Sequence, residues 1–251
     1  MLFNIFSLFN LAKFITKSDY IFNNDNYIFN NVANVHLDLI GRLQMFEVPV
    51  DDNFAIKTSD IYDARLHNYY FRNSEFSKVR LSYLLTNEVQ MFNSVWYPSC
   101  DYECPIFSVD LVHFGKNRSL CFINLINMFE DEDYFLKYET PFIKIKEKYP
   151  ELSENTSIHL DTFNTILSKG MLYGHIYNSI DFQNKIPDVL EKYLNTYSNI
   201  FNKKKNINKF FIKDKHRFYN DLRYSVESTN YLTKKYFDNL WYSRLLDEYY
   251  F

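Results

Sequence analysis

The chain has 251 residues, of which 47% are hydrophobic and 24% are charged, and its formal net charge is −3. This length can bury one sizeable core, and no stretch rich in Pro, Gly or Ser marks a linker, so one domain over residues 1–251 is expected. The net charge argues against a nucleic-acid-binding protein. The three cysteines are too few for a disulfide framework and fit no four-ligand zinc or iron–sulfur spacing, which favours a reducing compartment.

The N-terminal residues 1–17 are apolar, but polar residues interrupt them and no basic segment precedes them. This pattern favours a helix docked on the core over a signal peptide or a membrane span. Residues 27–31 and 48–60 are predicted to be loops. The sequence contains no glycine-rich phosphate-binding loop, so neither a nucleotide nor a flavin is expected within the chain.

Consecutive apolar runs follow, joined by short links. They predict strands at residues 76–85, 89–97, 107–114 and 120–125. Because the links are short, neighbouring strands are expected to be antiparallel. Helical apolar spacing then predicts helices at residues 134–149, 187–201 and 231–249. In the second of these, Asp188 and Glu191 would lie in the first turn, where carboxylates interact favourably with the helix dipole.

One Asn, Asn93, stands in the second of these strands, and one Asp, Asp110, stands in the third. Side chains alternate along a strand, so each is expected to share a face with apolar neighbours such as Val95 and Val112. A carboxylate that loses its hydration there favours its protonated form, as a proton donor working near neutral pH requires. The alternative from the residues alone is an ordinary buried Asp satisfied by backbone groups or a Lys.

The residues around this pair, NSVWYP at 93–98 and PIFSVDLVHFG at 105–115, resemble the core of the ferredoxin-dependent bilin reductases. These enzymes reduce the open-chain tetrapyrrole biliverdin to phycobilins. Further landmarks of the family are FEDEDYFLKY at 129–138, KYPEL at 148–152, LSKGML at 167–172 and WYSRLLDEYYF at 241–251. The resemblance covers residues 76–251. It implies a three-layer α/β/α sandwich with a central antiparallel sheet, in which the bilin lies between the sheet and the C-terminal helices.

By this resemblance, Asp110 matches the central acid that protonates the bilin. Asn93 stands where the phycoerythrobilin-forming members carry Asn, and it would orient the substrate through its amide. A second acid is expected in the C-terminal part, where Glu227 is the nearest counterpart and Asp221 is its rival. Glu227 could equally be a solvated residue at a helix start, because the family's Asp is usually followed by Pro, which is missing here.

Other positions depart from the family's usual residues. Ser108 replaces the Gly two residues before the central acid and would lie close to the ring plane. His175 stands where relatives commonly carry an Arg available to a propionate. Ser168 and Lys169 are the remaining candidates for propionate contact, although Lys169 could equally be an ordinary surface lysine.

Basic residues are concentrated between residues 203 and 235. The run is Lys203, Lys204, Lys205, Lys209, Lys213, Lys215, Arg217, Arg223, Lys234 and Lys235. Plant-type ferredoxins are acidic, so the resemblance makes Lys203, Lys204, Lys205 and Lys209 the predicted docking site for ferredoxin. The alternative is a solvated helix face with no partner.

The resemblance implies radical chemistry in which no cofactor is bound and reduced [2Fe–2S] ferredoxin supplies single electrons. The branch it favours reduces the 15,16 double bond of biliverdin IXα to 15,16-dihydrobiliverdin. A four-electron phycoerythrobilin synthase and a non-catalytic bilin carrier are the alternatives. A monomer is expected, in the cytoplasm of a cyanobacterium or phage-infected cell or in a plastid stroma, with a second bilin reductase as a possible recipient of the product.

Overall fold

The computed structural model describes residues 27–115, 118–153, 167–177, 179–201, 208–226 and 229–250, with only the backbone at 179–182, 226 and 229–232. The helix expected at residues 1–17 lies outside these ranges. The strands are β1 (Phe46–Val48), β2 (Ile56–Thr58), β3 (Ala64–Arg72), β4 (Phe76–Thr86), β5 (Gln90–Pro98), β6 (Ile106–His113), β7 (Ser119–Ile126) and β8 (Leu172–Ile176). The helices are α1 (Asn30–Arg42), α2 (Asp52–Ala55), α3 (Glu132–Tyr134), α4 (Thr140–Lys146), α5 (Ser179–Ile200), α6 (Lys209–Val226), α7 (Thr229–Tyr236) and α8 (Asn239–Leu245).

All eight strands join one antiparallel sheet in the order β1, β3, β4, β5, β6, β7, β8, with β2 also pairing with β3. From β3 to β7 the spatial order follows the chain, as the short links predict. The four predicted strands are confirmed as β4 to β7. Almost every residue of β5 and β6 is buried, which is why these strands read as continuous apolar runs.

Helices cover both faces of the sheet. On one face, α1 and α5 pack against Phe92, Trp96, Phe107 and Val109 in the main core. On the other face lie α6, α7, α8 and the π-helical segment Leu246–Tyr250 that follows them. The predicted three-layer α/β/α sandwich is therefore confirmed. None of the described helices combines the length and the hydropathy needed to cross a bilayer.

Several predicted boundaries are wrong. Residues 48–60 contain α2 and β2, and α2 begins where the Asp51 side chain accepts a hydrogen bond of 2.8 Å from the backbone N–H of Asn53. Helix α5 begins at Ser179 and continues through Pro187, so Asp188 and Glu191 are not in its first turn. The helix predicted at 231–249 is interrupted before Asp238, whose side chain caps α8. Strands β1, β3 and β8 and helices α1 and α6 were not predicted.

Candidate active site

A row of polar side chains crosses the sheet on the face that α6 covers. Ser82, Asn93 and Asp110 are paired directly across β4, β5 and β6. At one end of the row, the Ser82 hydroxyl donates to Asn68 Oδ1 at 2.6 Å, and the Asn68 amide donates to the carbonyl of Phe54 at 2.6 Å. Hydrogen bonds of this kind offset the cost of burying polar groups at the centre of a sheet.

Asn93 and Asp110 are the centre of this row, with 2% and 8% of their surfaces exposed. The Asn93 amide donates to Asp110 Oδ1, and Arg80 Nη2 donates to Asn93 Oδ1 at 2.7 Å. From α6, Arg223 Nη1 donates to Asp110 Oδ2 at 3.3 Å, which completes an ion pair. Asp110 shares its face of β6 with the buried Val112, as expected, but its carboxylate itself faces an amide on one side and a guanidinium on the other.

Arg80 is itself buried, with 2% of its surface exposed. Its guanidinium carbon lies 3.6 Å from the centre of the Tyr250 ring, a cation–π contact. On the same strand, Lys78 Nζ donates to the carbonyls of Tyr249 at 2.6 Å and Tyr250 at 3.1 Å. Burial, reinforced by the charge of Arg80, lowers the pKa of Lys78 to about 7. Strand β4 thus holds the C-terminal segment over the site through the side chains of Arg80 and Lys78.

Helix α6 covers the site with a row of side chains at helical spacing. Ile212, His216, Tyr219 and Arg223 are buried along this row. Burial lowers the pKa of His216 to about 4 and raises that of Tyr219, so both side chains are neutral near neutral pH. Arg223 belongs to the basic run of the sequence, but its guanidinium points into the protein toward Asp110.

A cavity of about 780 Å³ opens between the end of β7 and α6. Its walls include Ile126, Phe129, Phe135, Glu139, Lys169 and Phe218. Neither Asn93 nor Asp110 lines it. Phe122 on β7 is paired with Asp110, and Ile126, at the edge of the cavity, lies four residues further along the same strand. At about 3.3 Å per residue, the cavity therefore begins roughly 13 Å from Asp110.

The predicted substrate-binding residues occupy three places. Ser108 is buried in β6 and pairs with Asn124, whose Oδ1 accepts from the Ser168 backbone N–H at 3.1 Å. Lys169 lines the cavity, with its Nζ 4.7 Å from the centre of the Phe135 ring. His175 lies on the edge strand β8, which is separated from β6 by β7, so it is not brought next to Asp110. The structure therefore links Ser108 with Ser168 through Asn124 and places Lys169, the next residue along the chain, at the cavity, whereas His175 lies apart.

Sequence reasoning missed a buried carboxylate at this cavity. Glu139 is 7% exposed and accepts from the Asn127 amide at 2.5 Å and from the Lys169 backbone N–H at 2.7 Å. It also missed Arg80, although a charged residue inside an apolar strand was a usable signal. Within the described residues, no cluster of three or more His, Cys, Asp or Glu side chains could hold a metal ion.

Three of the four predicted docking residues, Lys203, Lys204 and Lys205, lie outside the described residues, as does Glu227, the predicted second acid. Lys209 is described at the start of α6, where it forms an ion pair with Asp101. Lys213 and Arg217 follow it on exposed positions of the same helix. Spaced four residues apart, these three cations form a basic stripe on the outer side of α6.

Comparison with known proteins identifies a family, several relatives and a solved structure. A profile of the family described as ferredoxin-dependent bilin reductase matches residues 34–251. A 15,16-dihydrobiliverdin:ferredoxin oxidoreductase from Nostoc punctiforme is 30% identical over 62% of this chain and 64% of its own length. One of the same name from Prochlorococcus marinus is 23% identical over 84% of this chain and 92% of its own.

The chain spans less than two thirds of the Nostoc punctiforme relative and 54% of a similarly named one from Gloeobacter violaceus. Among solved structures, phytochromobilin synthase from tomato in complex with biliverdin matches with a TM-score of 0.75. That match has 14% identity and covers 87% of this chain and 81% of the tomato chain, and it supports the fold.

Proposed function

Because the chain belongs to the ferredoxin-dependent bilin reductase family, we propose that it reduces the 15,16 double bond of biliverdin IXα to 15,16-dihydrobiliverdin. Two electrons arrive singly from reduced [2Fe–2S] ferredoxin, and two protons accompany them. The observation that supports this most is the buried pair of Asn93 and Asp110, set in the middle of the sheet and covered by α6. The names of the relatives favour this branch over others.

In this proposal the bilin lies between the sheet and α6, extending from the cavity toward Asp110. An open-chain tetrapyrrole is long enough to span the distance of roughly 13 Å along β7. To reach the acid it displaces the side chains of Tyr219 and Arg223, which cover it in the structure described. Ser108, Ser168 and Lys169 would then contact the pigment, and Asp110 would supply one proton once Arg223 no longer occupies Oδ2.

Electron delivery is proposed to use the basic stripe of α6. Lys213 and Arg217 are exposed there, and Lys209 adds to the same side. An acidic ferredoxin would be drawn to this helix by long-range attraction. Because α6 also carries Arg223 over the acid, the electron donor would dock on the outer side of the helix that encloses the pigment. We further propose that the protein acts as a monomer and that a second bilin reductase takes up its product.

The test is a reconstitution of the folded protein with biliverdin IXα, ferredoxin and a system that keeps ferredoxin reduced, followed by chromatography of the pigment. A two-electron product identified as 15,16-dihydrobiliverdin supports the proposal. Phycoerythrobilin as the main product would instead identify the four-electron enzyme, and would point to a working second acid such as Glu227. A tight complex with biliverdin that never turns over would identify a carrier. The control omits ferredoxin, and biliverdin should then be recovered unreduced.

A further inference from the structure

Building on the proposed function, we propose that Arg80 is a positioning residue that fixes the orientation of the Asn93 amide. Through Asn93, it determines which oxygen of Asp110 carries the transferable proton. Arg80 does not contact Asp110 itself, and nothing in the chain's resemblance to its family assigns it a role. The contacts around it carry the inference.

An asparagine amide has two ends of similar size, one that accepts and one that donates, and it can turn by half a rotation. A guanidinium has only donors, so the end of Asn93 that faces Arg80 at 2.7 Å must be its oxygen. The NH2 group is then forced to face Asp110, where it donates to Oδ1. Arg80 thereby excludes the opposite orientation.

This orientation distinguishes the two oxygens of Asp110. Oδ1 accepts from Asn93 and can do so whether or not the carboxyl carries a proton. Oδ2 faces Arg223 on α6, the side from which the pigment would approach. A proton arriving after Arg223 has moved therefore resides on Oδ2, where it can be transferred to the pigment.

Without Arg80, once Asp110 is protonated, only the long contact of 3.4 Å between the Asn93 NH2 group and the Val109 carbonyl would oppose a turn of the amide, which would then present its oxygen to Asp110. A protonated Asp110 would then donate from Oδ1 to Asn93, and its proton would be held between two strands, away from the pigment. The rate of proton transfer should fall, although the acid is still present.

The structure also explains how Arg80 is kept in place. Its side chain is 2% exposed, and the Tyr250 ring lies on its guanidinium at 3.6 Å. Lys78, on the same face of β4, holds the carbonyls of Tyr249 and Tyr250. A planar donor group clamped in this way loses little freedom when it binds the amide, which makes it suitable for orienting a neighbour.

The experiment compares Arg80→Met and Arg80→Lys with Arg72→Met, a control at an exposed arginine on β3. We expect Arg80→Met to lower the rate of bilin reduction at saturating biliverdin by on the order of tenfold to a hundredfold, with binding changed by about threefold or less. Arg80→Lys should restore part of the rate, because an ammonium also only donates. The control should match the wild type.

Two further measurements separate positioning from a general effect on folding. In an Asn93→Ala background, Arg80→Met should lower the rate no further, because the group it orients is gone. If the two losses multiply instead, Arg80 does not act through Asn93 and the proposal is wrong. In wild-type protein without bilin, the side-chain amide protons of Asn93 should exchange slowly with water, as groups held at both ends do. Rapid exchange of these protons in the folded wild type would overturn the proposal, even if Arg80→Met cannot be purified. The exchange measurement does not require enzymatic activity.

Discussion

Replacing Asp110 by Asn should cost stability as well as activity, because both carboxylate oxygens accept hydrogen bonds. Asn93 donates to Oδ1 and Arg223 donates to Oδ2. An amide at position 110 offers one oxygen and one NH2 group. In either orientation, one of the two donors therefore faces another donor, and the substitution cannot preserve both contacts.

The magnitude follows from the geometry of the ion pair. Breaking a fully buried pair costs about 3–5 kcal/mol. Here the distance from Arg223 Nη1 to Asp110 Oδ2 is 3.3 Å, and the side chains of Arg223 and Asp110 are 10% and 12% exposed. The pair is therefore longer and more accessible to solvent than a fully buried one. We therefore expect a loss of about 2 kcal/mol in the free energy of unfolding of Asp110→Asn, close to the value for one hydrogen bond to a charged group. For a chain of this size, that lowers the melting temperature by about 4–8 °C.

Urea unfolding of four proteins measures this: the wild type, Asp110→Asn, Arg223→Gln and the double variant. In the Arg223→Gln background, the glutamine oxygen can accept from the new amide, so Asp110→Asn should cost about 1 kcal/mol or less. With biliverdin and reduced ferredoxin, Asp110→Asn should bind pigment but reduce it about 10²- to 10⁴-fold more slowly, since the proposed proton donor is gone.

Either of two results would refute this reasoning. Equal losses of stability in both backgrounds would mean that the pair of Asp110 and Arg223 contributes no coupling free energy. Formation of the normal product at the normal rate by Asp110→Asn would mean that another group supplies the proton.

Three further predictions concern pH, packing and docking. The pKa of Lys78 is lowered from 10.5 to about 7, so between these pH values the folded protein binds fewer protons than the unfolded chain. The difference in unfolding free energy between the wild type and Lys78→Met should therefore rise with pH in this window, by at most about 1.4 kcal/mol per pH unit, and should not change below about pH 6. In urea unfolding, Gly174→Ala should destabilise the protein by about 1–3 kcal/mol, because the added Cβ would lie 2.6 Å from a backbone carbonyl oxygen. The control is Gly41→Ala in α1, whose Cβ would meet nothing within 4 Å and which should be neutral or stabilising. Reversing the charges of Lys213 and Arg217 should raise the ferredoxin concentration that gives half-maximal rate by about tenfold in dilute buffer, and by much less in about 0.5 M salt, while bilin binding stays unchanged. If the rate depends on ferredoxin concentration as in the wild type, ferredoxin docks elsewhere.

The central sheet was predictable because its strands are buried on both faces. β5 and β6 are mostly apolar, so the amide of Asn93 and the carboxylate of Asp110 were conspicuous within them. Their pairing across the two strands required the register, which the sequence did not supply. β3 was missed because His67 and Asn68 interrupt its apolar pattern, although both are buried.

The cover of the site was not predictable for a different reason. The buried positions of α6 recur at helical spacing, but two of them are the polar residues His216 and Arg223. The rest of the helix is highly charged, so its hydropathy indicated a segment exposed to solvent. Arg80 is buried by Tyr250, a contact between distant parts of the chain. Both arginines have polar or aromatic partners that only the tertiary fold brings together, and local pattern carries no information about such partners.

The sheet and its cover are also separated in the order of synthesis. Arg223 follows Asp110 by 113 residues, which at about 5–20 residues per second leaves on the order of ten seconds between their additions to the growing chain. During that interval the strands can already pair, because β3 to β7 are neighbours in sequence, while the face that α6 will cover is still open. Ser82, Asn93 and Asp110 interrupt this face with groups that prefer water. The polar row therefore makes the nascent sheet a poorer surface for association with other unfinished chains.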